Sequence, residues 1–145
     1  MPSPQKAKGS GWERDTARFL SGLYGESFIR APGSGAYVGG SNKARMEVLH
    51  EGQIRAFKGD IVPGQSFPKL NAECKFYKAF PFHRLLQPEP IPMLEEWISQ
   101  LMDVSEADDF NILIMKFNQV GKFIAIESRH ESINKNYIDY WSNTT

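Results

Sequence analysis

The apolar positions of this chain switch repeatedly between a helical and an alternating rhythm, and the switches divide it into elements. Residues 11–24 follow the helical one. At about 100° per residue, Ala17, Leu20 and Tyr24 line up with Glu13, flanked by Thr16, Phe19 and Leu23. Arg14, Asp15, Arg18 and Ser21 take the other side, and Gly25 ends the pattern. Residues 70–77 alternate as a strand, with Asn71, Glu73, Lys75 and Tyr77 on one face and Ala72, Cys74 and Phe76 turned to a core. A shorter run, Asp60-Ile61-Val62, is closed by Pro63-Gly64, and the turn-like residues 64–68 suggest a hairpin that sets Asp60 beside Glu73. Residues 80–92 hold four prolines and are expected to be irregular. Pro92 suits the first turn of a helix with Leu94, Trp97, Ile98, Leu101 and Met102 as its apolar stripe and Gln100 at the stripe's edge. Asn111–Phe117 and Phe123–Ile126 read as two more strands. Ile133, Tyr137, Ile138 and Trp141 return to helical spacing.

These elements predict an α/β architecture, a central mixed sheet of about five strands with the first helix on one face. A chain of 145 residues is sized for one domain with a proper core. Residues 1–10, rich in Pro, Ser, Lys and Gly, are expected to form a flexible basic arm ahead of a single domain over 11–145. No apolar run reaches membrane-spanning length and no export signal precedes the first helix. With a single cysteine, this points to a reducing, cytoplasmic setting. His50, His83 and His130 stand far apart and form no zinc-type spacing with Cys74.

The chemistry concentrates in Asp60, Glu73 and Lys75. Phosphodiester hydrolysis needs Mg²⁺ on hard oxygen ligands, and that ion takes few protein carboxylates. It also needs positive charge where negative charge develops on the phosphate. Two carboxylates can supply the first and a lysine the second. The pattern is short, and two solvated carboxylates with a surface lysine would write it equally well. Glu13 adds weight because it lies on the apolar side of its helix, where an unpaired charge is costly. Its place near the expected helix start leaves two readings open: a favourable partner for the helix dipole, or a metal-site carboxylate.

Four segments occur in a telling order: Lys8-Gly9-Ser10-Gly11-Trp12-Glu13-Arg14, Phe28-Ile29-Arg30-Ala31-Pro32-Gly33-Ser34-Gly35, Gly59-Asp60-Ile61 and Glu73-Cys74-Lys75. The series resembles the PD-(D/E)XK Holliday junction resolvases of archaeal and phage type, over roughly residues 8–127. The resemblance implies a restriction-endonuclease-like fold and a metal site of Asp60, Glu73, the backbone carbonyl of Cys74 and Glu13. It implies Lys75 acting on the attacking water, Ser34 near the scissile phosphate, and Mg²⁺, with Mn²⁺ as an alternative. Gln100 is a further candidate, since many such nucleases place a glutamine on the helix after the E-x-K strand. Two features depart from the pattern: residues 36–58 form a long insert, and glycine rather than proline precedes the aspartate.

The formal net charge of zero hides a division. Residues 1–58 carry nine Lys/Arg against five Asp/Glu, and residues 59–145 carry eight against twelve. Because phosphate neutralisation dominates DNA affinity, the DNA-facing surface is expected on the amino-terminal half. Its candidates are Lys6, Lys8, Arg14, Arg18, Arg30, Lys43, Arg45, Arg55 and Lys58. The activity implied by the resemblance is resolution of four-way DNA junctions by paired symmetric nicks. That task calls for a two-fold homodimer, in the host cytoplasm if the protein is phage-encoded. The alternatives are another PD-(D/E)XK nuclease, restriction-type or DNA-debranching, and a catalytically silent DNA-binding protein.

Overall fold

A computed structural model of the chain describes residues 4–31, 59–133 and 136–140. The first helix, α1 (Pro4–Tyr24), starts earlier than its apolar pattern suggests. Pro4 suits a first helical position, where the missing N–H would have no partner anyway. Residues 4–10 are therefore the opening turns of α1 rather than a flexible arm. Glu13 consequently lies well inside the helix, which removes the dipole reading, since that effect fades beyond the first turn. Gly25 ends α1 at φ +67°, with its N–H donated to the Ser21 carbonyl at 2.9 Å.

Two short strands follow, β1 (Ile29–Arg30) and β2 (Ile61–Val62), paired antiparallel with Ile29 opposite Val62. Then come β3 (Leu70–Tyr77), helix α2 (Pro92–Asp103), β4 (Phe110–Phe117) and β5 (Gly121–Ile126). β3 and β4 run parallel, with Glu73 opposite Leu113, and β5 closes antiparallel on β4. Parallel pairing requires a long crossover, and residues 78–109, with α2 and a single 3-10 stretch at Phe82–Leu86, provide it. The result is a mixed α/β sheet flanked by helices, as the sequence pattern predicts. The five strands of the described residues are divided, however, into a pair and a triplet. The expected β2–β3 hairpin does not form a ladder. β2 pairs with β1, and the two sheets are joined by one backbone bond, Asp60 N–H to the Ala72 carbonyl at 2.8 Å.

Both faces of the parallel β3–β4 pair are covered, which is the usual condition of parallel strands, while the middle of β5 is exposed. On one side α1 lays Trp12, Thr16 and Ala17 over Ala72 and Cys74, with Phe28 and Ile61 completing the layer. Trp12 is held there by its indole N–H, donated to the Ile114 carbonyl at 3.0 Å. Phe19, Leu23 and Tyr24, expected on the buried stripe or its flanks, are exposed; Phe19 is 66% accessible. On the other side α2 buries Leu94, Trp97 and Leu101 against Leu113, Met115 and Phe117.

A polar seam runs through this second layer. The buried Asn71 amide donates to the Leu101 carbonyl at 2.8 Å and to Asn111 Oδ1 at 2.9 Å, and Asn111 donates in turn to Glu127 at 2.8 Å. It ties the end of α2 to β3, β4 and the residues after β5. Among the described residues of 131–141, the expected helix is not formed. A kinked 3-10 stretch covers Ser128–Ile133, and residues 137–140 have no regular structure. Tyr140 still anchors that segment, its hydroxyl accepting the Ile91 N–H and donating to Glu95, both at 2.9 Å.

Candidate active site

Asp60 is the most constrained residue of the candidate site. Its N–H is donated to Ala72, its carbonyl accepts the Ala31 N–H at 2.7 Å, and its Oδ2 accepts the Cys74 N–H at 2.8 Å. One carboxylate thus takes the place of a strand partner along the edge of β3. Gly59 makes this approach feasible. A Cβ at that position would lie 2.4 Å from the Ala72 carbonyl oxygen and 3.0 Å from its nitrogen. The glycine where related motifs carry proline is therefore a packing requirement in this chain.

With Asp60 in that position, Glu73 has nowhere to spread its charge. Burial, the Asp60 charge and a hydrogen bond with Asp60 push its carboxyl up to about 8, against the pull of Lys75. Glu13 reaches the same locality from α1. Burial and the Asp60 charge raise its carboxyl too, opposed by Arg30, whose Nε donates to Glu13 Oε1 at 2.7 Å. Lys75 stands two residues beyond Glu73 on the same face of β3, and its Nζ donates to Gln100 Oε1 at 2.5 Å. The helix that covers this face thus supplies the group that aims the lysine.

Cys74 contributes its main chain and not its thiol. The side chain is buried under α1, and burial with the Asp60 charge drives its pKa far above the normal range. A thiolate nucleophile is thereby ruled out.

Among the described residues, no three His, Cys, Asp or Glu side chains form a ready-made metal cage. The donor set nevertheless fits a hard divalent ion. Two carboxyls press together at the edge of β3, and burial followed by the Asp60 charge pushes that of Glu73 up to about 8. Mg²⁺ characteristically uses one or two carboxylates and keeps several waters.

A family model described as "Phage putative PDDEXK endonuclease" matches residues 4–144 of the chain. The chain belongs to this endonuclease family. No curated protein and no solved structure matches it significantly.

The DNA candidates of this endonuclease divide. Lys8 is on α1 with its Nζ 4.5 Å from the Phe76 ring, and Arg14 and Arg18 face solvent, Arg18 3.7 Å from Asp15. Arg30 is turned to Glu13 and also donates to Ser10 Oγ at 3.2 Å, so its first role is internal. Ser34, Lys43, Arg45, Arg55 and Lys58 lie outside the described residues, as does the side chain of Lys6. Three participants escaped the sequence reading: Ser10, Gly59 as the spacer that admits Asp60, and Arg30 as the partner of Glu13. The only advance signal was Glu13 itself, a carboxylate on an apolar helix face that had to find a cation.

Proposed function

We propose that this PD-(D/E)XK endonuclease is a metal-dependent, structure-selective enzyme that resolves four-way DNA junctions by paired nicks, acting as a homodimer. The observation that carries the hydrolytic part is the Asp60–Glu73 carboxyl pair with Lys75 on the same strand, aimed by Gln100. The junction preference rests on the order of the four sequence segments from Lys8 to Lys75. The dimer follows from the need to cut two strands of like polarity.

In this reading Asp60 and Glu73 hold Mg²⁺ or Mn²⁺, with the Cys74 carbonyl as a further ligand and Glu13 assisting. The bound ion supplies Lewis-acid stabilisation of charge on the phosphate oxygens. Lys75 orients the attacking water and neutralises charge on the phosphate, and Gln100 fixes the lysine's direction. Arg30 holds Glu13 at the margin of the acidic group. The whole reaction is hydrolysis: water's oxygen bonds to phosphorus, and the 3′ oxygen leaves and takes up a proton. One nuclease domain suffices for each cut.

The test is incubation with Mg²⁺ or Mn²⁺ and end-labelled four-way junction, linear duplex and single strand, with Glu73→Ala alongside. Symmetric nicks near the branch point, absent in the variant and on linear duplex, are expected. Equal cutting of linear duplex would refute junction selectivity and favour a restriction-type or debranching enzyme. No cutting with any divalent metal would point to a silent DNA-binding protein.

A further inference from the structure

Away from the carboxyl pair, on the α1 side of the sheet, three lysines converge on two aromatic rings. Phe76 stands opposite Lys116 in the parallel ladder, and Lys116 stands directly opposite Lys122 in the antiparallel one. Phe76, Lys116 and Lys122 thus form one row across β3, β4 and β5. Trp12 covers the row from α1, edge-on to Phe76 with ring centroids 6.4 Å apart. Lys116 Nζ lies 4.8 Å from the Phe76 ring and 5.5 Å from Trp12, Lys122 Nζ lies 5.8 Å from Trp12, and Lys8 adds a third ammonium over Phe76. Among the described residues none of the three lysines has a carboxylate within ion-pair distance. The first turn of α1, whose Gln5 reaches the Phe76 carbonyl at 2.6 Å, carries no acidic residue either.

Like charges placed directly opposite on paired strands are unfavourable. The rings ease this by presenting their negative faces to the ammonium groups, but they leave the net charge in place. Three uncompensated cations on one rigid surface complement a polyanion. The patch shares α1 and β3 with the candidate site, although Phe76 and Glu73 point to opposite faces of β3. Lys8 is about 7.5 Å from Glu13 along α1, and Phe76 is about 10 Å from Glu73 along β3.

We propose that Lys8, Lys116 and Lys122, gathered over Trp12 and Phe76, grip the phosphate backbone of a duplex DNA arm. The proposal rests on the reading of the chain as a DNA endonuclease, and it extends the DNA surface to the carboxy-terminal half, where the charge balance alone would not place it. Two of the three lysines come from there.

Binding of labelled linear duplex in EDTA, measured by fluorescence anisotropy over a series of KCl concentrations, tests it on the full chain and on Lys116→Gln, Lys122→Gln and Lys122→Glu. Each neutralised lysine is expected to lower the slope of log affinity against log salt by about 0.9. Lys122→Glu is expected to weaken binding most while its Tm holds or rises, because it pairs with Lys116 across the ladder. Unchanged slopes and affinities would overturn the proposal, as would failure of the wild type to bind duplex. A fall in Tm with unaltered binding would overturn it too, assigning the lysines to ring packing. Because no metal is present, a protein that cuts nothing could still pass this test. Conversely, a protein that cuts junctions could still fail it.

Discussion

Replacing Glu73 with glutamine keeps the side chain's size and hydrogen-bonding capacity and removes a charge that the fold accommodates poorly. In metal-free protein the Glu73 carboxyl titrates near 8 rather than at its ordinary 4.5, mainly through burial and then through Asp60. The native state therefore holds a proton that the unfolded chain has released. For a carboxyl raised in this direction, the associated stability is full below pH 4.5, declines as pH rises, and is gone above about pH 8. Glutamine removes that slope. At about 1.36 kcal/mol for each unit of pH, the upper limit of the gain is roughly 5 kcal/mol, and relaxation with Asp60 and water entry reduce it to about 1–3 kcal/mol. Thermal unfolding followed by circular dichroism in EDTA should find Glu73→Gln level with wild type at pH 5 and about 3–10 °C more stable at pH 9. Mg²⁺ should stabilise the wild type at pH 9 by mass action and leave the variant nearly unmoved. A variant no more stable than wild type at pH 9, or equally shifted at both pH values, would show that Asp60 and Glu73 do not share a desolvated, uncompensated site.

Other expectations test the scaffold and the lysine. Gly59→Ala forces a Cβ into the Ala72 main chain and should cost about 2–4 kcal/mol in urea unfolding, with DNA cleavage lost through displacement of Asp60. Asn71→Ala strands the Leu101 carbonyl and the Asn111 amide oxygen, and should cost about 2–4 kcal/mol by the same assay. Lys75→Ala should lower the cleavage rate by about 10²–10⁴-fold at unchanged Tm. Gln100→Leu, which only frees the lysine from its guide, should lower it by about 10–100-fold. Equal losses for the two would show that Gln100 acts on the substrate directly.

The strands, the two helices and the Glu73–Lys75 pair are local facts of the chain. Alternation over 70–77 puts Glu73 and Lys75 on one side of a strand whatever surrounds it, and the stripe from Leu94 to Met102 makes a helix by its own periodicity. Pro92 and Gly25 mark ends because their backbones permit little else there. What the sequence could not settle depended on partners distant along it. Whether β2 pairs with β1 or β3 is decided by where α1 packs, not by the intervening turn. The start of α1 at Pro4 goes against two glycines that weaken a helix, and contact with Phe76 through Gln5 holds those turns down. The helix expected near the carboxyl end gives way where Tyr140 is drawn to Ile91 and Glu95. The character of the site was decided in the same way. Glu73 and Lys75 are ordinary strand residues until α2 and Asp60 close over them. Only the fold removes the water that would let those carboxylates ionise independently.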